Sequence, residues 1–539
     1  MRLSPKCAWF LAFTAAFAAL AGFVFWGTWS TGFAPVMPDN PIVHPPWWIS
    51  DWWRGWLETG RFVPGDLLAF LGGPGVWQEL KYAFSLYLAA LGMAYFCRGR
   101  GLSEVAACGA GLLLAFCGYW LTLFSAGHYG WFQWMAYGVF AFGLADRAVR
   151  GGGARHWALL GATVAWGSFY QPDLWLLFTV FTGAYLVRCC VRERKLPWKG
   201  ALLAAAAFAV IGAPSVRHAF VSDLAGRDRQ IAEGQTVGGN VADDAEKRWI
   251  FATNWSMPPD ETLEFLVRGA NGDTSCPFTL SIGAQRGTGV RPYTGALGRP
   301  KDAPSGNYRQ HSLYVGWVTC LLALGGLVAG CRRRDTRSEV AFFAVAAVVF
   351  WLFSLGRYCE PVYRLVYALP FGDYLRAPVK WHHLTEFCLV VLAAFGLDAL
   401  RGALAVRLKP ALALAAVAAV ALVGATDLAV GARRSCAPVD IREARRQNAN
   451  LQMAFLRKSD FENPSVAAMV RAHRIVPLAN PNAETYLVGV IEPWRRADEP
   501  PPPFSAATGL GIVSALATFA ALALAAAGAW PARRKGAAA

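Results

Sequence analysis

LRAPVKWHHLTEFCLVVLAAFGLDALRG, residues 375–402, sets Arg376, Lys380, His382 and His383 directly before the apolar run 384–400. An apolar run approaching about 20 residues has the size of a helix that crosses a bilayer. The chain repeats that pattern. Twelve apolar segments stand near 8–27, 80–97, 105–124, 131–145, 157–170, 174–187, 200–213, 312–330, 338–355, 384–400, 410–427 and 506–529. Across 539 residues, 55% are hydrophobic and only 16% charged, and the mean hydropathy is +0.33. Such a balance lies outside that of water-soluble domains and predicts a multi-pass, all-α integral membrane protein.

Lys and Arg accumulate in the cytoplasmic loops of membrane proteins, and here they alternate along the chain. One set of loops holds Arg2 and Lys6, Arg98 and Arg100, Arg147, Arg150 and Arg155, the 188–199 cluster, Arg332 to Arg337, Arg401 to Lys409, and Arg533 to Lys535. The short turns 125–130 and 171–173 between them carry no Lys or Arg. This predicts twelve spans with both termini cytoplasmic. The first apolar run exceeds the usual 7–15 residues of a signal-peptide core, so it reads as a retained anchor. Of the 51 basic residues behind the formal charge of +16, 22 lie in these loops. The excess is therefore topogenic and suited to anionic lipid headgroups, and no nucleic-acid module is visible.

Residues 1–430 form the predicted transmembrane domain, with outer loops at 28–79, 214–311 and 356–383. Residues 431–505 read as a small extracytoplasmic α/β segment, with helices over 441–458 and 464–474 and strands at 474–478 and 485–491. Residues 506–539 supply a last span and a basic tail, preceded by the stiff DEPPPP spacer. In the first outer loop Trp48, Ile49, Trp52, Trp53, Trp56 and Leu57 share one helical face, as in a helix lying at the membrane interface. The 214–311 loop reads as short helices ordered by contact. Of twelve cysteines only Cys276, Cys359 and Cys436 fall on the outer side, which permits at most one disulfide there. No Cys/His spacing suggests a metal site.

The segment that opens this section falls on the outer side. Arg357, Arg364, Arg376 and Lys380 face only Glu360 and Asp373 there, in a short loop that the positive-inside bias should have kept acidic or neutral. An anionic phosphate or pyrophosphate headgroup offsets such a bias, since Arg offers a planar fork and Lys a point charge. Pairing with local acids or with ordinary anionic lipid is the alternative. Chemistry on a lipid phosphate also needs a carboxylate on that side. Asp39, in MPDNP, is the preferred general base, and Asp51, on the interfacial helix, the second candidate. Desolvation beside a membrane wall raises a carboxyl toward the useful range; a turn-capping role before Asn40 and Pro41 is the other reading of Asp39. His128, in the SAGHYG turn, could donate to a leaving phosphate or simply bond a neighbouring carbonyl. Asp173, in the turn at 171–173, and Arg217, in an outer basic cluster with His218 and Arg227, are placed to orient a substrate.

Four blocks, SAGHYGWFQWMAYGVFAFGLADR, FATNWSMPPDETLEFLVRG, YRQHSLYVG and GRYCEPVYRLVYALPFGDYLRAPVKWHH, resemble in kind and order those of the YfhO family of bacterial polytopic membrane proteins. That family is similar to the GT-C glycosyltransferases. The resemblance covers about residues 30–430 and implies a GT-C-like enzyme that takes a sugar from a polyprenyl-phosphate donor to an extracytoplasmic glycan or polymer. It also implies an acidic residue in the first outer loop, mapped onto Asp39 and less well onto Asp51, and a RAP block at Arg376, Ala377 and Pro378. A divalent metal is compatible with the resemblance, but nothing in the residues requires a cofactor.

The reading is thus an inverting transferase: Asp39 accepts the proton of the acceptor hydroxyl while Arg376 and Lys380, aided by Arg357, His382 and His128, stabilise the departing phosphate. A transporter or flippase of a lipid-linked or anionic substrate is the rival, since the span count suits both. Midspan positions that are mostly Ala, Leu, Val and Phe, with Asp146, Asp398 and Asp427 at span ends, favour surface chemistry over passage.

Overall fold

The computed structural model describes residues 5–31, 64–123, 129–169, 172–224, 228, 236–237, 240–241, 244–271, 312–435, 454–457, 476–477, 485–489 and 506–529. Asp39, Asp51, the 48–57 stretch, His128 and most of 431–505 lie outside these residues. Each of the twelve apolar segments is helical over most of its length. The helices are α1 (Pro5–Thr31), α2 (Asp66–Gly99), α3 (Glu104–Phe116), α4 (Gly118–Thr122), α5 (Tyr129–Val149), α6 (Gly153–Ser168), α7 (Pro172–Glu193), α8 (Trp198–His218), the short α9 (Asp244–Thr253), α10 (Trp317–Arg332), α11 (Arg337–Ser354), the short α12 (Glu360–Tyr367), α13 (His382–Ala405), α14 (Pro410–Ser435) and α15 (Ala506–Ala529). Among the described residues eight helices are long and apolar enough to cross a membrane.

Why these segments form helices follows from composition. Their interiors are runs of Ala, Leu and Phe whose backbone groups must bond internally where no water is present. Exposed Val180, Val187, Leu202, Phe220, Leu321, Leu324, Val345, Val348, Val423, Leu516 and Phe519 cover the outward faces. Apolar cover on that scale would drive association in water but is the ordinary surface of a protein solvated by lipid. α13 is the centre, with almost every residue from His382 to Leu397 buried. It crosses α10 at glycines: a Cβ built on Gly396 would fall 2.0 Å from the Leu322 carbonyl oxygen, and one on Gly326 the same distance from that of Leu392. Only small residues allow backbones that close. Phe96, Phe142, Tyr185, Phe343 and Phe387 fill the space beside it, several edge to face.

Two expected spans are modified. The 105–124 segment breaks at Cys117, whose ψ of 141° separates α3 from α4. Across the break the Gly118 N–H donates to the Tyr314 carbonyl at 2.9 Å, so residues 312–316, expected to start a span, instead run extended into the bundle. At 454–457, read as the end of a helix, the chain is a strand. It pairs antiparallel with Thr485–Gly489, which also pairs with Val476–Pro477. Alternating side-chain placement in AFLR suits a pleat as well as a helix turn, and the strand partner decides.

The loops that share Lys and Arg come together at one end of the bundle. There Glu339 accepts from Arg100 and Arg188, each at 2.9 Å, and from the Tyr185 hydroxyl at 2.8 Å. Asp146 takes Arg150 at 2.9 Å and Arg100 at 3.2 Å. α5, α7, α11 and the α2–α3 turn are thereby tied at that basic end, and both carboxylates are fully buried. The segments 117–123, 172–173, 312–316 and 354–381 meet at the opposite end.

Candidate functional site

At that opposite end three stretches far apart in sequence interlock. Gly356 has a φ of +52°, and a Cβ there would meet Ser256 Oγ at 2.1 Å and Pro378 Cγ at 2.6 Å. Only glycine fits where GRYCEP, NWSMPP and RAPVK touch. Trp255 and Ala377 adopt left-handed backbone, φ 56° and 63°, which is strained for residues with a Cβ. The two strained turns are bonded together, the Val379 N–H donating to the Trp255 carbonyl at 3.3 Å. A fourth stretch joins through Glu264, whose Oε1 accepts from Ser312 Oγ at 3.0 Å and the Leu313 N–H at 3.2 Å.

The anticipated cations have separate partners here. Lys380, on the turn Pro378–Trp381 ahead of α13, is buried and bonded to Asp173 in the first turn of α7, with its Nζ 5.3 Å from the Trp131 ring centroid. Two candidates 207 positions apart are thus brought together. Asp173 Oδ1 also accepts the Leu174 N–H at 2.9 Å. Arg357 donates through Nε and Nη2 to the Thr253 carbonyl, at 3.2 and 3.0 Å. Arg376 is partly exposed and lies over the rings of Trp255, at 5.0 Å, and Phe251, at 5.6 Å. Arg217 is exposed at the end of α8. His382 is wholly buried, its ring 4.4 Å from that of Phe265, so it backs the site and does not face it.

No protein-family model matches the chain, and no curated protein is significantly similar to it. The site is therefore read from its own geometry. Beside Asp173 a cavity of about 280 Å³ is walled by Trp175, Phe208, Val216, Phe220, Leu224, Phe371 and Leu375, with Ser168, Ser215 and Tyr374 as further polar lining. An apolar chamber with one ion pair at its wall accommodates the apolar part of an amphiphile and places a polar group at the pair.

Above it, α9 is pinned to the turn Gly372–Tyr374. Arg248 donates to Asp373 at 2.8 Å and stands over the Tyr374 ring, and the Tyr374 hydroxyl and then Asp373 hold its pKa above the ordinary guanidinium value. Arg364 stacks on Trp249 with its charge centre 3.7 Å from the ring centroid. Tyr363 donates to the Ala252 carbonyl at 3.3 Å, and burial pushes its phenol up. Aromatic faces capped by guanidinium groups form a ledge that can stack a sugar ring and hold an anion. Among the described residues no group of three His, Cys, Asp or Glu side chains converges on a metal position.

Sequence reading passed over Glu386 and Glu264. Glu386 was visible as a carboxylate two residues inside the apolar run 384–400, a costly position that signals a partner or a role. Glu264 had no comparable signal, because its partners Ser312 and Leu313 are 48 and 49 positions away.

Proposed function

We propose that the protein is a GT-C-like, YfhO-related membrane glycosyltransferase. It takes a sugar from a polyprenyl-phosphate donor and passes it to an extracytoplasmic glycan or polymer. The observation that supports this reading is the apolar cavity lined by Asp173, the partner of Lys380, and by Leu375, which precedes the partly exposed Arg376 in sequence. It suits a molecule with a long apolar tail, a phosphate and a sugar. In the proposed topology twelve spans cross a bacterial cytoplasmic membrane, the basic end and both termini are cytoplasmic, and residues around the paired strands at 454–489 form a small outer α/β appendage.

The reaction is a single displacement. The acceptor hydroxyl oxygen bonds to the anomeric carbon as the bond to the phosphate oxygen breaks, and the configuration inverts. The hydroxyl proton goes to Asp39, with Asp51 the second candidate, and the electron pair leaves on the polyprenyl phosphate. Arg376, partly exposed over the rings of Trp255 and Phe251, is the guanidinium assigned to that charge, whereas Lys380 would have to turn from Asp173. Arg217 is assigned to orienting the substrate and His128 to the donor phosphate. The test is sugar transfer in membranes loaded with a polyprenyl-phosphate sugar. Asp39→Asn should abolish it and Arg376→Ala should raise the donor KM, with expression unchanged in both. Undiminished transfer by Asp39→Asn would remove the base, and an effect of Arg376→Ala confined to the acceptor would remove the phosphate role.

A flippase is the second reading, favoured by the helix break at Cys117 beside the buried Glu386, since transporters build sites from interrupted helices. Movement of a fluorescent lipid phosphate across vesicles holding the protein, with no sugar transfer, would select it.

A further inference from the structure

Beneath Lys380 the chain buries a set of titratable groups that the proposed transfer does not use. His382, His383 and Glu386 lie on the first turns of α13 and are each 0% exposed. His382 Nε2 is 3.6 Å from Glu386 Oε1, and the same carboxylate oxygen accepts the Tyr119 N–H at 3.3 Å. The His383 ring stacks on Tyr119 at 4.0 Å, and it meets the edge of Trp131, the ring that also lies under Lys380.

The charge balance of this pocket is informative. Asp173 and Lys380 neutralise each other, which leaves Glu386 with no buried cation except an imidazole. Other titratable groups on the surrounding elements are Cys117 and Tyr119 at the α3–α4 break, Glu264 next to Phe265, Cys320 on α10, Cys388 on α13 itself and Lys81 over Tyr82 on α2. α5 presents Trp131 and no charge. Of these only Lys81 is a further cation, and it stands over an aromatic ring with no Glu386 contact among the described residues. An unpaired carboxylate in so dry a place costs several kcal/mol or more, which a single bound proton removes. That proton sits either on Glu386 or on an imidazole.

Bonding does not fix its position. Neither ring nitrogen of His383, nor Nδ1 of His382, nor Oε2 of Glu386 has a hydrogen-bond partner among the described residues. A histidine with a purely structural role is normally anchored through one nitrogen, which sets its tautomer. These rings are not anchored, and they are neighbours in sequence.

We propose that His382, His383 and Glu386 form an internal proton-binding site that holds one exchangeable proton. Its outlet is the Asp173–Lys380 pair at the cavity wall, and its readout is the Glu386 bond to Tyr119 that braces the break between α3 and α4. The proton leaves an imidazole nitrogen and binds a Glu386 oxygen, or the reverse, so atoms and charge are conserved within the cluster. Exchange with the outside adds or removes one proton. The inference does not depend on the sugar-transfer reading, and it gives either reading a buried charge that can be switched.

The test uses full-length protein in lipid nanodiscs. Infrared difference spectra across a pH series should show a protonated-carboxyl band that titrates and is absent in Glu386→Gln. With ¹⁵N-labelled histidine, the signals assigned by His382→Gln and His383→Gln should change protonation or tautomer over the same range, and Glu386→Gln should displace that range. Imidazoles that keep one tautomer at every pH, with no carboxyl band lost in Glu386→Gln, would overturn the proposal and leave the cluster a fixed packing element. If Glu386→Gln fails to fold, the native pH series still decides: no titrating carboxyl band, together with imidazoles in one tautomer at every pH, would overturn the proposal.

Discussion

Removing one member of the Asp173–Lys380 pair should be far more damaging than removing both. Their side chains are 3% and 8% exposed, so neither can turn to water. In Lys380→Met the carboxylate keeps the Leu174 N–H but loses its buried cation, and removing one partner of a buried ion pair costs about 3–5 kcal/mol. In Asp173→Asn the ammonium retains the Trp131 face, an interaction of about 1 kcal/mol or more, so the loss should be about 1 kcal/mol smaller. The double variant has no buried charge, and its loss should stay near 1 kcal/mol, because replacing a whole buried pair by neutral groups is close to balanced. The coupling energy is then about 4–8 kcal/mol, measured by equilibrium unfolding in mixed micelles with tryptophan fluorescence. Losses that add to within about 0.5 kcal/mol would refute the buried pairing. The double variant also separates roles. If Lys380 meets the donor phosphate, it should fold and fail at transfer; retained transfer would remove Lys380 from the binding set.

Glu339→Gln should destabilise the basic end by about 3–5 kcal/mol in the same unfolding measurement, since Arg188 loses its buried counter-charge and Arg100 is left with Asp146 alone. A loss below about 1 kcal/mol would show that water reaches the network. Gly396→Leu should abolish folded yield on gel filtration in detergent, because its Cβ alone would overlap the Leu322 carbonyl, whereas Gly183→Ala, with nothing within 4 Å of the added carbon, should behave as the native chain. Normal yield from Gly396→Leu would mean that α10 and α13 do not cross there.

The alternation of Lys and Arg was enough to say which helix ends belong together, because that bias acts loop by loop and needs no tertiary information. Arg100, Arg150 and Arg188, grouped by counting, do meet around Asp146 and Glu339. The break at Cys117 was not legible. Nothing in GLLLAFCGYWLTLF departs from an apolar helix, and the interruption depends on a carbonyl supplied by Tyr314, 196 positions later. The site shows the same division. Basic residues in the 356–383 loop were conspicuous by their sign, but the Asp173 partner of Lys380 and the aromatic bed of Arg376 arise from helix packing that no local pattern encodes. His382 was misjudged for a related reason: adjacency to Lys380 in sequence put it on the same surface, while the turn Pro378–Trp381 rotates it inward.

The two ends of the bundle are built differently. At the basic end each buried carboxylate meets guanidinium groups from other helices, an arrangement that holds four elements in one register. At the other end lie three of the four non-glycine residues with positive φ among the described residues, Trp255, Phe371 and Ala377, each costing about 1–2 kcal/mol. Buried polar atoms without partners among the described residues occur at both ends, on His382, His383 and Glu386 here and on Asp146 Oδ2 and Arg100 Nε at the basic end, so the strained backbone is what sets this end apart. Strain persists only where the surrounding structure enforces it, and it gathers where a protein binds or switches. A basic end that holds the helices in register would support the strained turns from a distance, and Glu339→Gln should then loosen the turns at Trp255 and Ala377. Faster amide exchange at Val379 in that variant, whose N–H bonds one strained turn to the other, would report the coupling, and unchanged exchange there would show that the two ends are mechanically independent.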